Sequence, residues 1–551
     1  MSRKKKKSPK LIVVTGGVLS GLGKGIAAAS IGKLLSANLK VVPIKCDGYL
    51  NTDPGTMNPV EHGEVYVQDD GGEVDMDFGH YERFIGVDTK FDWNITMGKV
   101  FKEILEKERA GDYLGKTVQF IPHVTDMIKE KIYNTLETEQ ADLGLLEIGG
   151  TVGDLENQFY IEAVRQLKFE FGPENIIFIH LTYVPVPNGV NEQKSKPTQM
   201  SVKSLQQFGI EPDIIIGRCS EYLTPKIKEK IALFCNLEPS DVISGVDVEC
   251  IYEIPLIYEQ EGLVETLHKK LNIYSPPKIN AWRNRVNVLL KNIKNPSKTI
   301  DIAIAGKYTE LEDSYASVVE SITHSAANND VKVNVVWLDT DGLETQPKKM
   351  AEVLELVDGV IVPGGFGARG IEGKISTITY CRENNIPFLG ICYGMQLAVI
   401  EYARNVVGIK DANTAEILED GIDVGTAVID ILPEQKAVTK KGGSMRLGGQ
   451  DVLIKEGTKA HALYGATSVR QRFRHRYEVN PDYIQQIEDA GLVFSGHASD
   501  LRIMQLMELP SHPYFMACQF HPELTSRLET PSPLFYNLVK EAIIFSNKRD
   551  K

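Results

Sequence analysis

Short runs of apolar, mostly β-branched residues alternate along this chain with longer stretches whose apolar positions recur every three to four residues. That is the pattern of strands buried in a parallel sheet with helices between them. The first run, residues 11–14 of LIVVTGGVLSGLGKGIAAAS, predicts a buried strand, and the alanine-rich end of the same stretch predicts a helix. LKVVPIKC (39–46) predicts a second strand, ending in Lys45. A helix over 124–137 leads to LGLLEI, a third strand whose apolar run is broken by Glu147. An amphipathic helix over 155–171 and strands over 176–185 and 212–219 continue the alternation.

The pattern fails in two places. Residues 47–91 are rich in Gly and Asp with few periodic apolar positions, which marks a functional or disordered segment. Residues 275–298 open on a double proline and close on a polar, proline-containing stretch, so they read as a linker with a short helix. Strand patterns then restart in TIDIAIAGKY, VKVNVVWL, DGVIVPGGFG and PFLGICYGMQ. The expected fold class is α/β with two doubly wound domains, the first phosphate-loop-like, at 1–274 and 299–551 around the 275–298 linker. A length of 551 residues fits more than one core.

Charge and cysteine usage narrow the function. A net charge of −13 argues against a general nucleic-acid binder, and no apolar run approaches a membrane span. The basic MSRKKKKSPK start lacks the features of a signal peptide and reads as a solvated, flexible tail. Seven cysteines without a C-x-x-C pair form neither a disulfide framework nor a zinc site, which fits a cytoplasmic protein.

The candidate chemistry begins in the first loop. Gly16, Gly17, Gly21, Gly23 and Gly25 surround Lys24 between a strand and a helix, where backbone N–H groups and a helix N-terminus favour a polyphosphate. The spacing is one residue off the usual phosphate loop, and Gly25 stands where a metal-binding hydroxyl is expected. A metal must therefore be held elsewhere. Asp69, Asp70, Glu73, Asp75 and Asp77 form either a solvated acidic loop or the source of that ligand, and Glu147 on its buried strand is favoured as a ligand over a structural acid. Lys45 suits a phosphate or a solvated strand end. Lys194, Ser195, Lys196 and Gln199, on a loop after a strand, suit a second triphosphate or a solvated basic loop.

The second half carries a nucleophile pattern. Gly390-Ile391-Cys392-Tyr393-Gly394 matches an elbow with Cys in the nucleophile position, above a helix N-terminus that favours thiolate. His521 and Glu523 in FMACQFHPEL supply a base and an orienting acid. His475 sits in the Arg-rich RFRHRYE, better suited to a carboxylate. PGGFG (363–367) offers backbone donors for an oxyanion hole.

VTGGVLSGLGKGIAAAS, DPGTMNPVEHGEV, GHYERF, EIGGTVGD and KSKPTQ resemble the amidoligase domain of the CTP synthase family, to about residue 272. GICYGMQ, PGGFG and HPE resemble a class I glutamine amidotransferase over about 299–545. The resemblance implies a ligase of pyrimidine biosynthesis that turns UTP into CTP with ATP and glutamine-derived ammonia. It implies ATP contacts from Gly21, Leu22, Gly23, Lys24, Gly25, Ile26, Lys45, Asp77, Arg218 and Val246, with Mg²⁺ on Asp77 and Glu147. UTP would meet Ser20, Lys194, Ser195, Lys196, Pro197, Thr198, Gln199 and Lys230. As feedback inhibitor, CTP would share those phosphate contacts and place its base by Asp154, Leu155 and Glu156, although Asp154 also suits an N-cap for the following helix. Glutamine would meet Gly365, Tyr393, Gly394, Met395, Gln396, Glu416 and Arg476 around Cys392, His521 and Glu523. Arg472 and Arg474 compete for the role of Arg476. Pro59, His62 and Val65 would line an ammonia passage. GTP as activator and a homotetramer, with filaments, are further implications. The rivals are a related glutamine-dependent ATP ligase, which would lack KSKPTQ and DPGTMNP, and a filament-forming assembly protein.

Overall fold

The computed structural model describes residues 9–57, 63–307, 312–421, 424–431, 446–499 and 502–549. The basic start of the chain, 1–8, and two of the expected passage residues, Pro59 and His62, lie outside them. By packing, the chain forms two units: Met1–Pro54 with Asp77–Arg283, and Gly55–Met76 with Asn284–Lys551.

The first unit is built on a parallel seven-stranded sheet. Its order is Asn94–Thr96, Val41–Asp47, Leu143–Ile148, Lys10–Gly16, Ile176–Tyr183, Ile214–Cys219, Val242–Val246. The strand Lys10–Gly16 is buried from Leu11 onward, as a run of apolar residues covered on both faces should be. It is central, and chain order reverses direction on its two sides, so its carboxyl end opens at a switch point where ligands of such sheets bind. The helix Lys24–Leu35 starts there, after Gly23 in a left-handed conformation (φ 83°). Its small residues Ala27, Ala28 and Ala29 are fully buried and let it lie close against its neighbours.

The second unit holds a nine-stranded sheet. Five strands are parallel, in the order Lys332–Asp339, Thr299–Gly306, Gly359–Val362, Phe388–Ile391, Phe515–Cys518. Met504–Glu508, Val493–His497, Arg446–Ile454 and Ser468–His475 extend it in antiparallel fashion. Phe388–Ile391 runs directly into the helix Tyr393–Tyr402, with Cys392 at the junction. Among the described residues no helix is long and apolar enough to cross a membrane. All seven cysteines are buried, and none is in a disulfide.

Three expectations need correction. Residues 47–91 are not without structure: they contain the hairpin Tyr66–Val67 with Glu73–Val74 and the helix Asp77–Ile85. That helix is only nine residues long, and most of its polar residues are buried as well. Glu82 accepts hydrogen bonds from the Thr89 N–H and hydroxyl, both at 2.9 Å. The linker helix is not short; it spans Asn280–Lys294, anchored by buried Trp282, whose indole N–H donates to the Tyr252 carbonyl at 2.8 Å. By packing, the boundary between the two units falls inside that helix, and Gly55–Met76 cluster with the second unit. Finally, Lys196 to Gln199 are not loop residues but the first turn of the helix Lys196–Gln207.

Candidate active sites

In the first unit the phosphate loop, Asp77 and Glu147 converge at the carboxyl end of the sheet. The Lys24 ammonium donates to the Gly150 carbonyl at 2.7 Å. Lys45 forms an ion pair with Asp77 and lies 3.7 Å from Asp47. The missing hydroxyl after Lys24 has a steric explanation. A Cβ on Gly25 would stand 2.2 Å from the Asp77 Oδ1, so the carboxylate occupies the space that a Ser or Thr side chain would need. Glu147 pairs in register with Lys45 across two strands and accepts a hydrogen bond from the Tyr81 hydroxyl.

The two acids are shifted in opposite directions. Burial pushes Asp77 up, but Lys45, His80 and Lys24 outweigh it and bring it down to about 2. Burial and the nearby Asp77 charge push Glu147 up to about 7. A buried carboxylate, Glu147, and a half-buried one, Asp77, beside a glycine-rich loop form a donor set that suits a hard dication. Mg²⁺ at a nucleotide takes one or two carboxylates, with phosphates and water completing the shell. Among the described residues no group of three His, Cys, Asp or Glu makes a self-sufficient metal cage, so the phosphates would be needed.

Leu22, Gly23, Ile26, Arg218 and Val246 line one cavity beside this loop. Arg218 is held there by Asp247 at 2.5 Å and donates to the Leu22 carbonyl at 3.2 Å. Ser20 and Gly21 are exposed at the loop tip. The 194–199 segment lies at the start of its helix. Ser195 accepts from the Gln199 amide at 3.0 Å, Thr198 meets the Thr182 hydroxyl at 2.9 Å, and Pro197 occupies the first turn. Lys194 pairs with Glu192 at 2.5 Å, and Lys230 also acts on Glu192, which brings Lys230 into the neighbourhood of Lys194. Asp154 is not the expected helix cap. Its carboxylate accepts from the upstream Thr151 N–H at 2.7 Å, Leu155–Asn157 form a separate turn, and the helix starts at Gln158.

In the second unit Cys392 has φ 52° and ψ −102°, a positive φ that a non-glycine residue adopts at a cost. The turn works because its flanking glycines remove side chains. A Cβ on Gly394 would sit 2.1 Å from the Val362 carbonyl oxygen, and one on Gly390 would sit 2.9 Å from Ala517 and from the Gly394 backbone. The Cys392 N–H donates to the Cys518 carbonyl at 2.7 Å, and its thiol lies 3.7 Å from the Arg474 carbonyl oxygen. His521 lies in the same cavity as Cys392 and, through Nδ1, meets Glu523 at 2.7 Å. Burial pulls His521 down, but the Glu523 carboxylate and Cys392 outweigh it and hold the imidazole well above its ordinary range.

These groups share a cavity of about 470 Å³ with Gly365, Tyr393, Gln396, Glu416 and Arg476. Glu416 accepts from the Gly367 N–H at 3.0 Å and so anchors the glycine loop. Gly394 and Met395 lie in the first turn of the helix below Cys392. Val65 lines the same cavity. Of the three competing arginines, Arg472 donates to the Tyr66 hydroxyl at 3.1 Å and the Val67 carbonyl at 3.2 Å, and Arg474 pairs with Glu73 at 2.6 Å. Arg470 likewise pairs with Asp69 at 2.9 Å. Two of the five acids therefore serve arginines of the second unit.

Three side chains were missed. His180 bridges the Thr15 hydroxyl at 2.8 Å and the Ser201 hydroxyl at 2.7 Å, buried below the phosphate loop. Burial, with Lys24 nearby, lowers it to about 3 and keeps it neutral. Lys374 is buried, and among the described residues its nitrogen has no hydrogen-bond partner; it lies 3.4 Å from where a Cβ on Gly365 would stand. Its position in the stripe Ile371, Lys374, Ile375, Ile378 was the available signal. Gln519 donates to the Cys392 sulfur at 3.5 Å, and nothing in QFHPE singled it out.

The family model described as "CTP synthase N-terminus" matches residues 10–273, and "Glutamine amidotransferase class-I" matches 310–541. The chain is 56% identical over 538 residues to a CTP synthase of Borreliella afzelii, covering 98% of this chain and all of the relative. It is 52% identical over 542 residues to a CTP synthase of Archaeoglobus fulgidus, at 98% and 100% coverage. Among solved structures, the glutaminase domain of a Trypanosoma brucei CTPS with bound acivicin matches 44% of this chain and 94% of its own, with 35% identity and a TM-score of 0.42.

Proposed function

The chain belongs to the CTP synthase family, as a glutamine-hydrolysing ligase that aminates UTP, and on that premise we propose which residues carry each half of the reaction. Residues 1–274 form the synthetase, 275–298 the linker and 299–551 the glutaminase. The observation that carries this division is the convergence of Cys392, His521 and Glu523 in one cavity, far in sequence from the Lys24, Lys45, Asp77 and Glu147 cluster.

In the glutaminase half, the Cys392 thiol gives its proton to His521, and the sulfur attacks the carboxamide carbon of glutamine. The N–H groups of Gly365 and Tyr393 receive the developing oxyanion. Protonated His521, fixed by Glu523, returns its proton to the leaving nitrogen, and ammonia departs from a glutamyl thioester. His521 then takes a proton from water as it attacks the thioester, releasing glutamate and restoring the thiol. Gln396, Glu416 and Arg476 orient the amino acid, with Gly394 and Met395 beside it.

In the synthetase half, O4 of UTP attacks the γ-phosphorus of ATP, giving ADP and a 4-phosphorylated pyrimidine. Ammonia adds at C4 and phosphate leaves, yielding CTP. Lys24 and Lys45 clamp the charge on the transferring group. Asp77 and Glu147 would hold Mg²⁺, whose chemistry there is to neutralise phosphate charge. Leu22, Gly23, Ile26, Arg218 and Val246 take the nucleoside end of ATP. Ser20, Lys194 to Gln199 and Lys230 take UTP, and the helix start at Lys196 adds backbone donors for its phosphates. Ammonia leaves the cavity past Val65. CTP inhibits by way of Asp154, Leu155 and Glu156, GTP activates, and the protein works as a cytoplasmic homotetramer with filaments as a further state.

Glutamine hydrolysis measured with and without UTP and ATP tests the reading. Hydrolysis should rise when both nucleotides are present. A rate indifferent to both would favour an uncoupled glutaminase.

A further inference from the structure

Gln519 follows the strand Phe515–Cys518 and is fully buried. Its backbone N–H donates to the Gln505 carbonyl at 2.9 Å, so the chain is held there without help from the side chain. The side-chain amide spans two partners. Its oxygen accepts from the Gln396 Nε2 at 3.2 Å, and its nitrogen donates to the Cys392 sulfur at 3.5 Å. We propose that Gln519 is a further catalytic residue, a hydrogen-bond donor that stabilises the Cys392 thiolate, and that Gln396 positions it.

The orientation of the amide is determined by its neighbours. Gln396 Nε2 also donates to the Tyr477 backbone carbonyl at 2.9 Å, and that oxygen is only an acceptor. Turning Gln396 over would set two oxygens against each other. Turning Gln519 alone would set its NH₂ against the Gln396 NH₂ and its oxygen against the sulfur. One carbonyl thus fixes two amides in series and leaves a donor facing the nucleophile.

A bond to this sulfur acts on the chemistry more than on the fold. A neutral thiol is a weak acceptor, whereas a thiolate accepts a charge-assisted bond about twice as strong as a neutral one. The contact of the sulfur with the backbone changes in the opposite sense. The Arg474 carbonyl oxygen can accept from the S–H, but it repels the sulfur once the proton has gone to His521. The titratable groups that interact with Cys392 are His521, Lys374 and Cys518, and Glu523 acts on His521. Glu416, Arg474 and Arg476 line the same cavity. Gln519 is the uncharged donor in this set. The Gln396 Oε1 is buried and has no partner among the described residues, which leaves it for the substrate.

This assignment rests on Cys392 being the nucleophile of the proposed glutaminase. The test is alkylation of the full-length protein by iodoacetamide, with modification at Cys392 followed by mass spectrometry as a function of pH. Gln519→Met keeps the length of the side chain and removes the donor. Its alkylation midpoint should move up by about one pH unit, with a roughly tenfold slower rate at neutral pH. Its melting temperature and its ammonia-dependent CTP synthesis should match wild type. Gln396→Met, which frees the Gln519 amide to turn, should shift the midpoint in the same direction, and the double variant should add little. An unshifted midpoint in Gln519→Met overturns the assignment; if that variant does not fold, an unshifted midpoint in Gln396→Met does so. Failure of the underlying reading looks different: wild-type Cys392 would alkylate no faster than the other cysteines.

Discussion

Replacing Lys374 by Met should stabilise the second unit, by an amount that depends on pH. Lys374 lies on the helix Ile371–Glu383, fully buried, and its nitrogen has no hydrogen-bond partner among the described residues. Burial and the neighbouring Lys307 lower it from an ordinary 10.5 to about 7, against the weaker pull of Glu416 and Cys392. Between those two values the unfolded chain binds a proton that the folded protein does not. Stability therefore rises with pH across that window, and it is lowest below pH 7. At about 1.4 kcal/mol per pH unit, the burial costs about 4 kcal/mol at pH 7 and about 2 kcal/mol at pH 9. Met fills the same volume and has no proton to lose. The variant should melt higher by about 2–4 °C per kcal/mol, so by roughly 10 °C at pH 7, with the gain about halved at pH 9. Melting curves of both proteins at the two pH values check this. A variant that melts lower, or a gain that does not shrink at pH 9, would refute the reasoning. The cost is borne beside Gly365 and Tyr393, where a lysine under the oxyanion loop is expected to serve activity at the expense of stability.

Three further expectations concern the first unit. Asp77→Asn and Glu147→Gln should each lower CTP synthesis from either nitrogen source by more than the roughly 10–100-fold that outer-shell partners of a metal cost; near-normal ammonia-dependent rates would place the metal elsewhere. Gly25→Ser should be nearly inactive although it restores the usual phosphate-loop hydroxyl, because the new Cβ meets the Asp77 carboxylate; wild-type rates would contradict the steric argument. Glu156→Lys should weaken CTP inhibition several-fold with the UTP Michaelis constant almost unchanged; equal losses for both nucleotides in steady-state curves would mean one shared base pocket.

Much of the site was legible because its chemistry imposes local sequence. An exposed nucleophile at a strand–helix junction needs small residues on both sides, and Gly390 and Gly394 carry that requirement in five consecutive letters. The departure at Gly25 was legible for the same reason, and the structure supplies its cause in Asp77. Elements whose stability comes from distant partners were harder to read. The helix Asp77–Ile85 is only nine residues long, and it buries His80, Glu82 and Arg83 along with its aromatic residues, so a short pattern between Gly- and Asp-rich neighbours was easily passed over. Asp69 and Glu73 looked like candidate metal ligands because nothing nearby shows that Arg470 and Arg474, about four hundred residues later, neutralise them. Gln519 was missed because a single amide has no spacing to recognise; only the Tyr477–Gln396–Gln519 series gives it a direction.

The central claim is that two separable groups of residues make ammonia and use it. CTP formation by Cys392→Ala, assayed first with glutamine and then with ammonium salt as the nitrogen source, tests it most directly. Synthesis from glutamine should vanish while synthesis from ammonia stays at the wild-type rate. Loss of both activities in a folded variant, or retention of the glutamine-dependent one, would contradict it.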